Sequence, residues 1–160
     1  MSGKKPELRR DPITGRQVLI APERASRPWH INIGASAAHS DACPFCPGNE
    51  AMTPPEVCAE RAPNGAPNTP GWQIRVVPNR YPALEDRADR RADLKEGRDP
   101  FYKVEALGVH EVIIESAQHA VHMNALGAAE LAAVLRAYRA RFTALKKNSR
   151  WKYLLIYKNQ

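Results

Sequence analysis

The chain has 160 residues, 43% of them hydrophobic and 26% charged, with a formal net charge of +7. That balance excludes a disordered or low-complexity polymer, and the length suffices for one domain with its own core. No apolar run reaches membrane-spanning length, and the basic stretch from Met1 to Arg10 has no apolar segment behind it, so neither an anchor nor a secretory signal is expected. Arginine outnumbers lysine, and guanidinium forks suit phosphate and carboxylate, so the excess charge points to an anionic partner. Three cysteines, an odd number, argue against a secreted disulfide framework and for a cytoplasmic location.

In chain order, Leu8-Arg9-Arg10 runs into the turn signal Asp11-Pro12-Ile13-Thr14-Gly15 and then Gln17-Val18-Leu19-Ile20, which predicts a small hairpin. From Pro22 to Gly71 the periodicity breaks down. Half of the chain's 14 prolines lie between Asp41 and Trp72, so residues 22–71 read as an extended proline-rich loop, which in a compact domain needs a function or a metal clip. Trp72-Gln73-Ile74-Arg75-Val76-Val77 alternates like a half-buried strand. Glu85 to Arg98 is charged without apolar periodicity and reads as a solvated excursion. Val109 to Glu115 is expected to be the best buried strand. After Asn124, a candidate N-cap, Leu131, Val134, Leu135, Tyr138, Phe142 and Leu145 recur at helical spacing, which predicts an amphipathic helix over 124–147 packed on a sheet. Trp151 to Tyr157 alternates like a further strand.

The most informative segment is Cys43-Pro44-Phe45-Cys46-Pro47-Gly48-Asn49-Glu50. Two thiols separated by two residues, on a backbone that prolines keep from becoming a helix, can turn both sulfurs to one side of a tight knuckle, as a structural zinc site requires. A thioredoxin-like redox pair is the competing reading, but such pairs open a helix after a buried strand, and this one is followed by Pro-Gly-Asn. Zinc needs two more ligands. His39, Cys58, His110, His119 and His122 are the candidates.

Leu8 to Gly15, Pro22-Glu23-Arg24-Ala25-Ser26-Arg27-Pro28, the Cys43–Glu50 knuckle, Val77-Pro78-Asn79-Arg80-Tyr81-Pro82-Ala83-Leu84, Gly108-Val109-His110-Glu111-Val112-Ile113-Ile114-Glu115-Ser116 and Tyr157-Lys158-Asn159-Gln160 occur in the order found in galactose-1-phosphate uridylyltransferase. The chain resembles the N-terminal half of that family, which belongs to the histidine-triad superfamily. The resemblance implies an α+β fold for residues 1–160: a histidine-triad-like antiparallel sheet with the packed amphipathic helix, truncated before the catalytic His-x-His-x-Gln strand and so left with an exposed sheet edge. It also implies ping-pong transfer, in which a histidine attacks the α-phosphorus of UDP-glucose and the uridylyl group then passes to galactose 1-phosphate. The nucleophilic histidine falls beyond Gln160, so the resemblance places no catalytic residue within these positions.

By the same resemblance, Arg24 and Arg27 match a loop that contacts the nucleotide sugar, Asn79 an asparagine near the uridine, Asn159 one by the phosphates, and Met52 a small apolar residue lining the uridine pocket. The metal is expected on Cys43, Cys46 and His119, because Ser116-Ala117-Gln118-His119 stands in the place of the family's Ser-Pro-x-His. The fourth ligand would be the first histidine of the triad, with His39 or Cys58 as substitutes. Arg80 stands where many family members carry an aspartate, and relatives acting on ADP-glucose also lack that acid.

The partners implied are a nucleotide sugar and a hexose 1-phosphate, with a homodimer at full length. Two other classes compete. A nucleic-acid-binding zinc module fits the charge, but a second closely spaced ligand pair and a basic recognition helix are missing from the pattern, so no nucleic acid is expected. A non-catalytic, zinc-stapled interaction domain is the blander reading.

Overall fold

The computed structural model describes residues 5–27, 43–87, 103–119 and 122–158. Its strands in chain order are β1 (Glu7–Arg10), β2 (Gln17–Ile20), β3 (Cys58–Arg61), β4 (Trp72–Pro78), β5 (Lys103–Glu105) and β6 (Glu111–Ile114), followed by the helix α1 (Ala128–Lys146). The chain divides into two compact units, Met1–Ile31 with Asn79–His110, and Asn32–Pro78 with Glu111–Gln160. Each carries one antiparallel three-stranded sheet, which together with the helix makes the protein α+β.

In the first unit the sheet order is β2-β1-β5. The predicted hairpin is there, pairing Glu7 with Ile20 through Arg10 with Gln17. Its turn is organised by Asp11, whose Oδ1 accepts the N–H groups of Ile13 at 2.8 Å and Thr14 at 3.0 Å. Those backbone donors, Thr14 foremost, hold the Asp11 carboxyl below its usual pKa. Gly15 closes the turn at φ 71°, a conformation that costs glycine no side-chain clash.

In the second unit β4 is the central strand, between β3 and β6. The alternation read in the sequence predicts a half-buried strand, yet Trp72, Ile74, Arg75, Val76 and Val77 are all buried and Gln73 is exposed. Two physical facts account for this. The register runs Glu60 to Ile74 and then Arg61 to Trp72, so Gln73 is an extra residue, and that bulge places Trp72 on the same face as Arg75 and Val77. Both faces are also covered: Trp72, Val77 and Ile114 form one cluster with Ala59, Val112 and Ala117, while Ile74, Ala133 and Val134 form another with Ile113, Met123, Leu126, Ala137 and Tyr138. Central position thus makes β4 the best buried strand, whereas β6, expected to hold that role, is only partly covered except at Ile114.

The proline-rich stretch is less irregular than its composition suggests, since it contains β3 and two short 3-10 turns, Pro22–Ser26 and Glu50–Met52. The helix begins later than expected. Asn124 lies in a 3-10 turn, Met123–Ala125, and α1 starts after Gly127, whose N–H donates to the Glu130 carboxylate at 2.8 Å. Its buried face is centred on Ala133 and Val134, where small side chains permit close approach to Ile74. The stripe is therefore rotated from the one read in the sequence: Leu135 is 55% exposed and Phe142 41%. Arg141 turns inward and forms a two-pronged ion pair with Glu111, at 2.9 and 2.7 Å. Trp151–Tyr157 belongs to no strand among the described residues, and Tyr153 is 80% exposed. What ties this segment down is Lys158, which pairs with Glu115, an acceptor shared with the Tyr138 hydroxyl. No helix among the described residues is long and apolar enough to cross a membrane.

Candidate metal centre and donor cluster

The knuckle folds on itself through local backbone bonds. Cys46 N–H donates to the Cys43 carbonyl at 3.2 Å, Asn49 N–H to the Cys46 carbonyl at 3.1 Å, and the Asn49 amide returns to the Cys43 carbonyl at 2.8 Å. Gly48 adopts φ 93°, which a side chain would strain, and its N–H turns toward Glu50. Glu50 is buried and accepts that N–H at 3.0 Å on Oε2 and the Trp72 indole N–H at 2.7 Å on Oε1. Burial works against its charge. The Trp72 donor, the N–H groups of Glu50 and Gly48, and Arg75 together outweigh that penalty and bring its pKa below the ordinary value.

With the knuckle anchored to β4 in this way, Cys43 and Cys46 face His119, which follows β6. The ligand atoms of these three residues all lie within 4.8 Å of one another, and Cys46 Sγ is 3.2 Å from His119 Nδ1. A tetrahedral zinc with ordinary bond lengths has S to N edges of roughly 3.6 Å and S to S edges of roughly 3.8 Å, so the donors fit one ion. Burial, followed by the neighbouring Cys46, pushes the Cys43 thiol up, which a bound cation would reverse. Of the alternative ligands, Cys58, His110 and His122 are outside this group, and His39 lies outside the described residues.

A second cluster is built within the other unit. Pro22 opens the 3-10 turn that carries Arg24, and Arg24 Nη1 donates to the Tyr81 carbonyl at 2.9 Å. Asn79 sits at the start of the same 79–83 turn: its N–H donates to the His110 carbonyl at 2.8 Å and its Oδ1 accepts Tyr81 N–H at 2.9 Å. His110 also meets the turn, with Nδ1 accepting Ala83 N–H at 2.9 Å and Nε2 3.3 Å from Asn79 Nδ2. Burial, then the positive charges of Arg24 and Arg27, lower the His110 pKa. Arg24 and Asn79, picked out in the sequence as separate motifs, thus meet on one turn, and the charge of Arg27 is felt at His110 beside it. His110, expected only as a metal-ligand candidate, is the residue at its centre, and its spacing from Asn79 in sequence carries no signal of that. Met52 lies in the other unit, next to the knuckle and 42% exposed, and Asn159 falls outside the described residues.

A family model described as "Galactose-1-phosphate uridyl transferase, N-terminal domain" matches residues 2–160. The chain is 31% identical over 163 residues to an ADP-glucose phosphorylase of Arabidopsis thaliana, covering 100% of this chain and 45% of that protein. It is 27% identical to a galactose-1-phosphate uridylyltransferase of Schizosaccharomyces pombe, covering 95% of this chain and 43% of that one. The crystal structure of the Arabidopsis thaliana ADP-glucose phosphorylase with bound ADP-glucose superposes with a TM-score of 0.52 at 32% identity, over 92% of this chain and 40% of that chain. The chain thus spans less than half the length of these relatives, which are nucleotidyltransferases. With the family model matched across nearly its whole length, the chain belongs to the galactose-1-phosphate uridyl transferase family, as its N-terminal domain.

Proposed function

We propose that this chain is the nucleotide-gripping, metal-stapled part of a hexose-1-phosphate nucleotidyltransferase, with UDP-glucose and galactose 1-phosphate as the substrates. The observation that carries the reading is that Arg24 and Asn79 both bond to the 79–83 turn, with the charge of Arg27 felt at His110 beside it, in a chain whose relatives are galactose-1-phosphate uridylyltransferases and an ADP-glucose phosphorylase. In the proposed reaction an imidazole nitrogen bonds to the α-phosphorus, and the phosphorus to oxygen bond to glucose 1-phosphate breaks. A phosphate oxygen of galactose 1-phosphate then attacks that phosphorus and frees the imidazole. The proposed nucleophile comes from chain beyond these residues, on the last strand of a histidine-triad-like sheet. The role of the present residues is to hold the nucleotide and to set cationic donors against its phosphates.

Cys43, Cys46 and His119 would hold a zinc ion whose part is structural: it clips the knuckle to the end of β6. Asn159 and Met52 belong to the proposed nucleotide contacts, as do a full-length homodimer and a cytoplasmic setting to the proposed enzyme. The ADP-glucose phosphorylase relative supports an adenine nucleotide as the second reading. Calorimetric titration with UDP-glucose and ADP-glucose, in this chain and in the full-length protein, separates the two. The double change Arg24→Ala, Arg27→Ala is expected to weaken whichever one binds by tenfold or more, and an unaltered affinity would remove the assignment.

A further inference from the structure

Beside the turn at 79–83 two side-chain donors face each other. His110 Nδ1 accepts Ala83 N–H at 2.9 Å, and a neutral imidazole has one lone pair to offer, so its proton sits on Nε2. Nε2 is 3.3 Å from the Asn79 side-chain nitrogen. Turning the carboxamide over would not help, because Asn79 Oδ1 already accepts Tyr81 N–H at 2.9 Å, and a flip would set one donor against another. The imidazole N–H and the Asn79 amide therefore lie side by side with neither able to accept from the other.

We propose that His110 is a ligand-binding residue: its Nε2–H and the Asn79 Nδ2–H2 form a two-donor cradle for an oxygen atom of the nucleotide sugar, on the turn that Arg24 braces through the Tyr81 carbonyl. This rests on the nucleotide reading given above. Burial, then the positive charges of Arg24 and Arg27, lower the pKa of the ring and so favour the neutral form, the state in which Nδ1 pins Ala83 and Nε2 donates. An oxygen acceptor is the chemistry that satisfies both donors at once, and a phosphate, ribose or base carbonyl oxygen supplies it.

Two substitutions separate the pin from the cradle. Asparagine in place of His110 sets an acceptor where Nδ1 was and no donor where Nε2 was, whereas alanine removes both. In the 160-residue protein, nitrogen-15 shifts of the ring should show the Nε2–H form. The His110→Asn variant should keep the Ala83 amide resonance near its wild-type position and bind UDP-glucose or ADP-glucose about tenfold more weakly, as expected for one lost donor. His110→Ala should shift that resonance and weaken binding at least as much. A ring protonated at Nδ1, or His110→Asn binding as tightly as wild type, would overturn the inference alone. Wild-type protein that takes up neither nucleotide sugar would overturn both the inference and the nucleotide reading.

Discussion

Glu50→Gln changes one oxygen to an NH2 group at the point where the knuckle meets the sheet. Both carboxylate oxygens are in use, Oε1 by the Trp72 indole at 2.7 Å and Oε2 by Gly48 N–H at 3.0 Å. Glutamine has a single acceptor; with its oxygen on the Oε1 side Trp72 keeps its bond, and the NH2 group replaces the Oε2 acceptor of Gly48, an exposed residue whose N–H also reaches Oε1 at 3.2 Å. Neutralising the carboxylate weakens charge-assisted bonds that contribute about 1.5–3 kcal/mol each, while water can satisfy the N–H of exposed Gly48, so a loss of about 2 kcal/mol is expected at pH 7. Urea unfolding followed by circular dichroism reads this as a lower midpoint at constant slope. The pH dependence has a definite sign. Because folding lowers the Glu50 pKa from its ordinary value of 4.5, its contribution is present above pH 4.5 and is lost as the pH falls through the folded pKa. The gap between wild type and Glu50→Gln should therefore close on acidification. Since the same carboxylate holds Gly48 within the Cys43–Glu50 knuckle, zinc competition with a chromophoric chelator should show an affinity lower by about 10- to 100-fold. A variant within 0.5 kcal/mol of wild type, with undiminished zinc affinity, would refute this account of the anchor.

Glu56 accepts from both Arg75 and Arg61, and all three side chains are nearly buried, so Glu56→Gln should cost about 3–5 kcal/mol in the same unfolding assay. Glu60→Gln, which breaks the exposed pair with Arg136, should cost less than about 1 kcal/mol, and equal effects would show that burial is not what matters. Ile74→Ala empties the contact between β4 and α1 at Val134 and should cost about 2–5 kcal/mol, with the midpoint again as the measure. Cys46→Ser should lower bound zinc, measured by mass spectrometry of the metal, to well below one equivalent and abolish any chelator-induced shift in melting temperature.

Local chemistry was legible in the residues themselves. The Asp11 to Gly15 turn, the hairpin around it and the Cys43-Cys46 knuckle all depend on groups a few positions apart, and their spacing announces them. The core was readable in outline, since Ile74, Val76, Val77 and Ile114 are apolar residues in strand-like runs. The burial of Arg75, at 1% exposure, was not, because it rests on a bulge at Gln73 and on Glu56, 19 positions away. The helix stripe was misplaced for a related reason: periodicity names the apolar positions, but the small Ala133 and Ala137 and the inward Arg141–Glu111 pair choose the face that packs. At the sites the same division holds. Composition and spacing point to Cys43 and Cys46, family resemblance adds His119, Arg24, Arg27 and Asn79, and only the tertiary contacts put His110 beside Asn79 across 31 positions and Arg24 on Tyr81 across 57. Sequence determines what each side chain can donate or accept. Which donors are left facing one another depends on long-range pairing, whose energy comes from residues far apart in the chain.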